Sequence, residues 1–205
     1  MVHAFSVLIP AAGLSVRMGK EKALLHYREG TSFADEIIGC YKYAGADPIV
    51  LVLHENFDIS RLTSSGFLAV INRDVSLGRS WSVLIGLQQI PEGNSCFIHN
   101  IDNPFVETGI LWKMADVAEE EKYVVPVYNG KGGHPVLLGS KVVEYFRKRS
   151  SLFDFRKELK NFTRKEVEVT DKSILWNINT PFDYECFRDE KEQDLSLQHA
   201  YLRKN

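Results

Sequence analysis

The stretch Val7–Leu25, VLIPAAGLSVRMGKEKALL, constrains this chain more than any other part of it. An apolar run over Phe5–Ile9 has strand composition and ends at Pro10, a strand-stopping residue. Ala11, Ala12 and Gly13 follow, then Arg17, Gly19, Lys20 and Lys22, before apolar residues resume at Ala23. Small residues directly after a strand let backbone N–H groups come close to a ligand, and the cations lie within reach. That is the layout of a phosphate cradle. Gly13 is expected to make the sharp turn, and Arg17 to fork onto phosphate oxygens. An ordinary strand-to-helix turn shares part of this composition, but three cations between Arg17 and Lys22 weigh toward phosphate.

Two better-known phosphate loops are excluded by counting. A Walker A loop places four residues between its Gly and its Gly-Lys pair. Here five separate Gly13 from Gly19, and Glu21 stands where the metal-binding hydroxyl belongs. The dinucleotide fingerprint fails because Ser15 occupies its second Gly position.

The rest of the chain reads as strands alternating with helices. Strands are expected over Pro48–Leu53, Phe67–Ile71 and Ser95–Ile101. Helices are expected from Thr31 or Ser32 to Ala44, over Ile59–Ser64, over Ser80–Ile90 and over Thr108–Glu120. Such alternation argues for a mostly parallel sheet covered on both faces, a three-layer, Rossmann-like α/β class. Beyond residue 120 the pattern loosens. Strands at Tyr123–Tyr128 and His134–Leu138 flank a Gly-rich link, helices follow at Ser140–Arg147 and Phe153–Lys160, and another strand at Lys165–Val169. Trp176–Thr180 reads as extended, and the tail from Pro181 as helical and charged.

No linker, repeat or low-complexity block interrupts the 205 residues, so one domain over 1–205 is expected. Basic and acidic residues number 25 and 27, which speaks against a nucleic-acid or membrane-surface partner. No apolar run is long enough to span a bilayer, and the start of the chain lacks a signal peptide's pattern, so a cytoplasmic protein is expected. Cys40, Cys96 and Cys186 are widely spaced and indicate neither a disulfide frame nor a zinc site.

Ala11, Ala12, Gly13, Ser15, Arg17, Met18, Gly19 and Lys22 all fall on the signature L-x-A-A/G-G-x-S-x-R-M-G-x-x-K. The chain thereby resembles the MobA/MocA-like nucleotidyltransferases, enzymes that attach CMP or GMP to molybdopterin, and more broadly the nucleotide-diphospho-sugar transferase superfamily with its GT-A-like fold. The resemblance implies Arg17 and Lys22 on the β- and γ-phosphates, with Pro10, Ala11, Ala12, Gly13, Ser15 and Gly19 facing the nucleotide. Asp102-Asn103-Pro104 resembles the family's D-x-P motif, which implies Mg²⁺ on Asp102. Asn177-Ile178-Asn179-Thr180-Pro181-Phe182-Asp183 resembles its N-x-N-T-P-x-D/E segment and makes Asn179 a second metal-side residue. A neutral amide in place of a carboxylate makes it a weaker ligand. Gly132-Gly133-His134-Pro135 resembles G-x-H-P on the acceptor side. There His134 either bonds an acceptor phosphate or orders its loop. Leu77–Ser82 resembles the segment bordering the base, with Ser80 as helix cap and base neighbour, Ser82 as the alternative contact and Trp81 as packing.

The implied reaction is in-line attack of an acceptor phosphate on the α-phosphorus of a nucleoside triphosphate, with pyrophosphate leaving. Ala-Ala-Gly goes with CTP in that family, and the Ala12 side chain would restrict room for a purine. Molybdopterin is the expected acceptor, with a molybdoenzyme as a downstream partner. The alternatives are a sugar, alditol or choline phosphate acceptor, or a catalytically silent nucleotide-binding module. Arg17, Lys22 and Asp102 together argue against the silent module, and Asn179 argues for it.

Overall fold

The computed structural model describes residues 4–105, 107–149 and 153–189. Its centre is β1 (Phe5–Pro10), flanked on one side by β4 (Ile49–His54) and on the other by β6 (Ser95–Ile98), all parallel. Every residue of β4 is buried, as expected for the run IVLVL inside a sheet covered on both faces. The order across the sheet is β10-β7-β9-β6-β1-β4-β5, with β5 at Leu68–Asn72, β7 at Lys122–Tyr128, β9 at Val136–Leu138 and β10 at Thr163–Glu168. β8 (Lys131–Gly132) pairs with β7 through a turn whose Asn129 and Gly130 both have positive φ, the demand of a tight hairpin turn.

β9 runs antiparallel between β6 and β7, with Ile98 opposite Val136 and Val124 opposite Leu137. Sequence pattern places a strand here but not its direction, so the sheet is mixed on one wing and parallel on the other. A small ribbon, β2 (His26–Arg28) with β3 (Thr31–Ser32), is too short to show in the sequence.

Helix α1 (Phe33–Ala44) starts where expected. Ser32 is its cap, in a capping box with Asp35, and Gly45 closes it in the left-handed region. With α3 (Thr108–Asp116) it covers one face. The helical segment 181–189 adds Phe187, which stacks on Tyr27 and meets Phe33 and Phe105 edge-on. Helices α2 (Gly78–Leu87), α4 (Ser140–Arg147) and α5 (Phe155–Leu159) cover the other. Gly86 lets α2 lie close on the sheet: a Cβ there would overlap Leu8 and press on Val52. The charged tail beyond residue 189 lies outside the described residues.

Several boundaries move. Pro10 does not stop β1, because it pairs with Val52 as the last strand residue, where no N–H is needed. Ile59–Ser64 is only a 3₁₀ turn over Ile59–Arg61, and α3 ends four residues before Glu120. α2 begins two residues before Ser80, because a 3₁₀ turn (Val75–Leu77) capped by Asp74 feeds straight into it. Ser80 is therefore not the cap. Its hydroxyl instead accepts the Phe155 N–H, fastening α5 to α2.

Candidate active site

From β1 the chain crosses to β4 on one side, whereas β6 adds to the other. The crevice at the carboxyl ends of β1 and β6 is thus a switch point of the topology, where open α/β sheets take ligands. A cleft of about 360 Å³ opens there. Pro10, Ala12, Gly13, Ser15, Arg17, Lys22, Ser82, Asp102 and Asn179 all line it. Ala11, Gly19, Ser80, His134 and Trp81 do not.

The loop after β1 is built by its own hydrogen bonds. Ser15 adopts φ +49°, and its carbonyl accepts the N–H groups of Met18 and Gly19. The sharp turn therefore falls on Ser15 and Gly19 (φ +67°), not on Gly13, whose φ is ordinary. A Cβ on Gly13 would meet nothing within 4 Å, so Gly13 keeps open cleft rather than relieving a clash. The Ala11 N–H is spent on the Val52 carbonyl, so it does not face a ligand. Among the described residues the Ala12 and Gly13 N–H groups have no acceptor.

Lys22 crosses the cleft floor. Its Nζ donates to Asn179 Oδ1 at 2.8 Å and lies 3.7 Å from Asp102 Oδ2. Burial lowers its pKa, against the opposing pull of Asp102, and the nearby Arg17 lowers it further. The Asn179 oxygen is thereby engaged by a cation of the protein. Asn179 stays in place because Asp183, in the first turn of the following helix, accepts the N–H groups of Asn179 and Thr180 at 2.9 and 2.8 Å, while Thr180 caps that helix by accepting the Asp183 N–H.

Asp102 Oδ1 is shut from solvent without a hydrogen-bond partner. A buried carboxylate oxygen left unpaired at a cleft floor fits a cation. Among the described residues no three His, Cys, Asp or Glu side chains gather to hold a metal, so one bound here would draw its other ligands from phosphates and water.

The residue next to Asp102 carries a role the sequence did not disclose. Asn103 is fully buried, and its Nδ2 faces the carbonyls of Ser173, Ile174 and Trp176 at 3.3, 3.2 and 2.6 Å. Ile178 N–H donates to the Asp102 carbonyl at 2.8 Å. Together these bonds hold the loop after β6 against the segment that carries Asn179. On the other side, His99 contacts the Asn103 carbonyl at 2.6 Å and Tyr41 Oη at 3.1 Å.

Burial pushes the His99 pKa down to about 4, and burial with the charges of Arg79 and Arg156 does the same for His134. Both imidazoles are neutral in the folded protein and would take protons more readily unfolded. Stability is therefore full above about pH 6.5 and is lost as pH falls toward 4. For His99 the loss is on the order of 3 kcal/mol, from about 2.5 pH units of separation. Thermal midpoints measured from pH 7.5 to 4.5 should fall accordingly, with a flatter profile for His99→Gln. An identical slope in that variant would remove His99 from the account.

On the cleft wall, Asn72 Nδ2 donates to Ser82 Oγ at 3.0 Å, so the Ser82 oxygen is an acceptor there and its O–H remains a donor. Glu21, in the signature loop, meets buried His54 at 2.9 Å and ties the loop to the end of β4.

Residues 7–169 match the MobA-like NTP transferase domain. The chain belongs to that family of nucleotidyltransferases. The molybdenum cofactor cytidylyltransferase of Escherichia coli (strain K12) is 27% identical over 190 residues, covering 89% of this chain and 95% of that one. The crystal structure of Rv0371C from Mycobacterium tuberculosis H37Rv in complex with manganese superposes with a TM-score of 0.74 at 21% identity, covering 91% of this chain and 98% of the other. The 2-C-methyl-D-erythritol 4-phosphate cytidylyltransferase of Thermus thermophilus has a TM-score of 0.67 at 18% identity, with 90% and 97% covered. The nucleotide-diphospho-sugar transferase type of fold expected from the sequence is the one these neighbours share. No described helix is long and apolar enough to cross a membrane.

Proposed function

We propose that this protein, acting as one domain in the cytoplasm, transfers CMP from CTP to a phosphomonoester acceptor, molybdopterin, and releases pyrophosphate. The observation that carries the proposal is the convergence of Arg17, Lys22 and Asp102, with the Ala12 and Gly13 amides, in one cleft at the ends of β1 and β6. Arg17 and Lys22 offer two cations to the β- and γ-phosphates and to the negative charge that grows on the leaving pyrophosphate. Lys22 is aimed by Asn179 and Asp102 before substrate arrives, so little reorganisation is needed during reaction. Held on Asp102, Mg²⁺ would supply charge neutralisation across the phosphates. The Asn179 oxygen serves Lys22 in this arrangement. Ser82 faces the base, and Ala12, rather than a glycine, lines the cleft, which favours the smaller base of CTP. A phosphomonoester is already mostly dianionic at neutral pH, so no general base is required.

The activity named for the Escherichia coli relative supports cytidylyl transfer and a molybdenum-cofactor acceptor. The test is pyrophosphate release with Mg²⁺ and each of CTP, GTP, ATP and UTP, with and without molybdopterin. Release with CTP that requires molybdopterin is the expected result. Release that requires a sugar, alditol or choline phosphate instead would reassign the acceptor. Tight nucleotide binding without release from any of them would make the protein a binding module.

A further inference from the structure

Residues 13–21 leave the core after β1, and Met18 alone among them is buried. The hydrogen bonds of this loop are mostly its own. Ser15 accepts the Met18 and Gly19 N–H groups through its carbonyl, and its hydroxyl bonds the Gly13 carbonyl. Two more bonds reach only the 3₁₀ turn that follows, Lys22–Leu24: Lys22 N–H to Ser15 Oγ at 3.4 Å, and Leu24 N–H to the Glu21 carbonyl. Among the described residues there is one exception. Glu21 Oε1 meets His54 Nε2 at 2.9 Å, across 33 residues of chain.

Glu21 stands just before the 3₁₀ turn, where a side chain often caps, yet its own bonds none of the turn's N–H groups. Its backbone is drawn out (φ −58°, ψ 113°), so neighbouring side chains leave on opposite sides. Lys22 lines the cleft, and Glu21 lines a separate hollow behind the loop. A carboxylate only accepts, so the ring proton between the two residues lies on His54 Nε2. His54 Nδ1 is buried without a partner, which makes Glu21 the whole of what the ring bonds to. The ring is itself fixed: it is buried at the end of β4 and packs edge-on against Phe57 at 5.9 Å. His54 also pairs in register with Asn72, whose amide holds Ser82 on the cleft wall.

We infer that Glu21 and His54 are positioning residues for the triphosphate, a tether that holds the phosphate loop to the sheet without touching the ligand. It fastens the far end of the loop, so Arg17 and the Ala12 and Gly13 amides meet phosphate oxygens from a fixed frame. Lys22, one residue on, gains the same footing for its reach to Asn179 and Asp102. Without the tether, Met18 is the only anchor between Ala12 and the 3₁₀ turn, and ligand binding must then order the loop. The inference rests on reading the cleft as a triphosphate site and depends on neither the base nor the acceptor.

The experiment measures binding of α,β-methylene-CTP and of inorganic tripolyphosphate, each with Mg²⁺. It compares the wild type with Glu21→Ala, Glu21→Gln, His54→Leu and the double variant of Glu21→Ala with His54→Leu. Amide hydrogen exchange at Met18 and Gly19 is followed on the same proteins without ligand. Glu21→Ala should bind both ligands about tenfold more weakly, the usual contribution of one charge-assisted hydrogen bond, and its loop amides should exchange faster. Glu21→Gln should recover most of both losses, because its Oε1 still accepts from His54 Nε2. His54→Leu should match Glu21→Ala, and the double variant should be no weaker than either. A lowered melting temperature with binding and loop exchange unchanged is what a merely structural pair gives, and it would overturn the inference. A Gln variant as weak as the Ala variant, or additive losses in the double variant, would overturn it too. If His54→Leu does not fold, the two Glu21 variants decide alone. If the wild type binds tripolyphosphate but not the CTP analogue, the cytidylyl reading fails, while the tether is still judged on tripolyphosphate and on exchange.

Discussion

Asp102→Ala should abolish pyrophosphate release, by about a thousandfold or more, while the thermal midpoint moves little. The large effect on rate follows from the proposed role of this carboxylate in holding a cation among phosphates, since single preorganised electrostatic contacts are each worth about 10²–10³ in kcat. The small effect on folding follows from the neighbours. Asp102 Oδ1 accepts no hydrogen bond, and Lys22, 3.7 Å from Oδ2, keeps its 2.8 Å bond to Asn179 in the variant. Backbone contacts, including Ile178 N–H to the Asp102 carbonyl, survive the truncation. Release assays at saturating CTP and acceptor, with Mn²⁺ titration and thermal melts on the same preparation, separate the two effects. Retained metal-dependent turnover would remove Asp102 from the metal site.

Asn103→Asp inverts that pattern. The change is isosteric, yet it replaces an NH₂ facing three carbonyls with an oxygen that carries negative charge, at a fully buried position. A buried charge that has lost its donors costs about 3–5 kcal/mol. For a chain of 205 residues that corresponds to a fall in thermal midpoint of roughly 6–20 °C. The sign with pH is also set. The native environment raises the pKa of the new carboxyl, so its destabilisation is greatest above that raised value and shrinks as pH falls and the acid gains an O–H to donate. Melts of wild type and variant at pH 7.5 and 5 check both points. A variant within about 1 kcal/mol of wild type at pH 7.5 would mean that the three carbonyls are satisfied without Asn103.

What the sequence disclosed and what it concealed divide along physical lines. The run IVLVL, the Ser32–Asp35 cap and the cluster from Arg17 to Lys22 are local patterns, legible because strand burial, helix capping and loop charge depend on neighbours in the chain. The Asn103 clamp joins residues at least 70 apart, and the Glu21–His54 pair joins residues 33 apart. No local period records such pairings. Ser80 was misleading for a related reason. A Ser ahead of an apolar stretch is a good cap, but Asp74 had already begun the turn that becomes α2. The three residues of β9 hold too few alternations to reveal their direction.

That reversed strand has a consequence for how such a protein can diversify. A parallel strand presents to the cleft the residues that follow it, and altering them disturbs the crossover helix packed behind. β9 presents the residues that precede it, and these arise from a hairpin rooted at both ends on the same rim of the sheet. Changes at the turn itself, Asn129 and Gly130, are therefore absorbed locally, whereas Gly132 and Gly133 lie against Arg164 and Ile174. The wing formed by β1, β4 and β5 is left as it was.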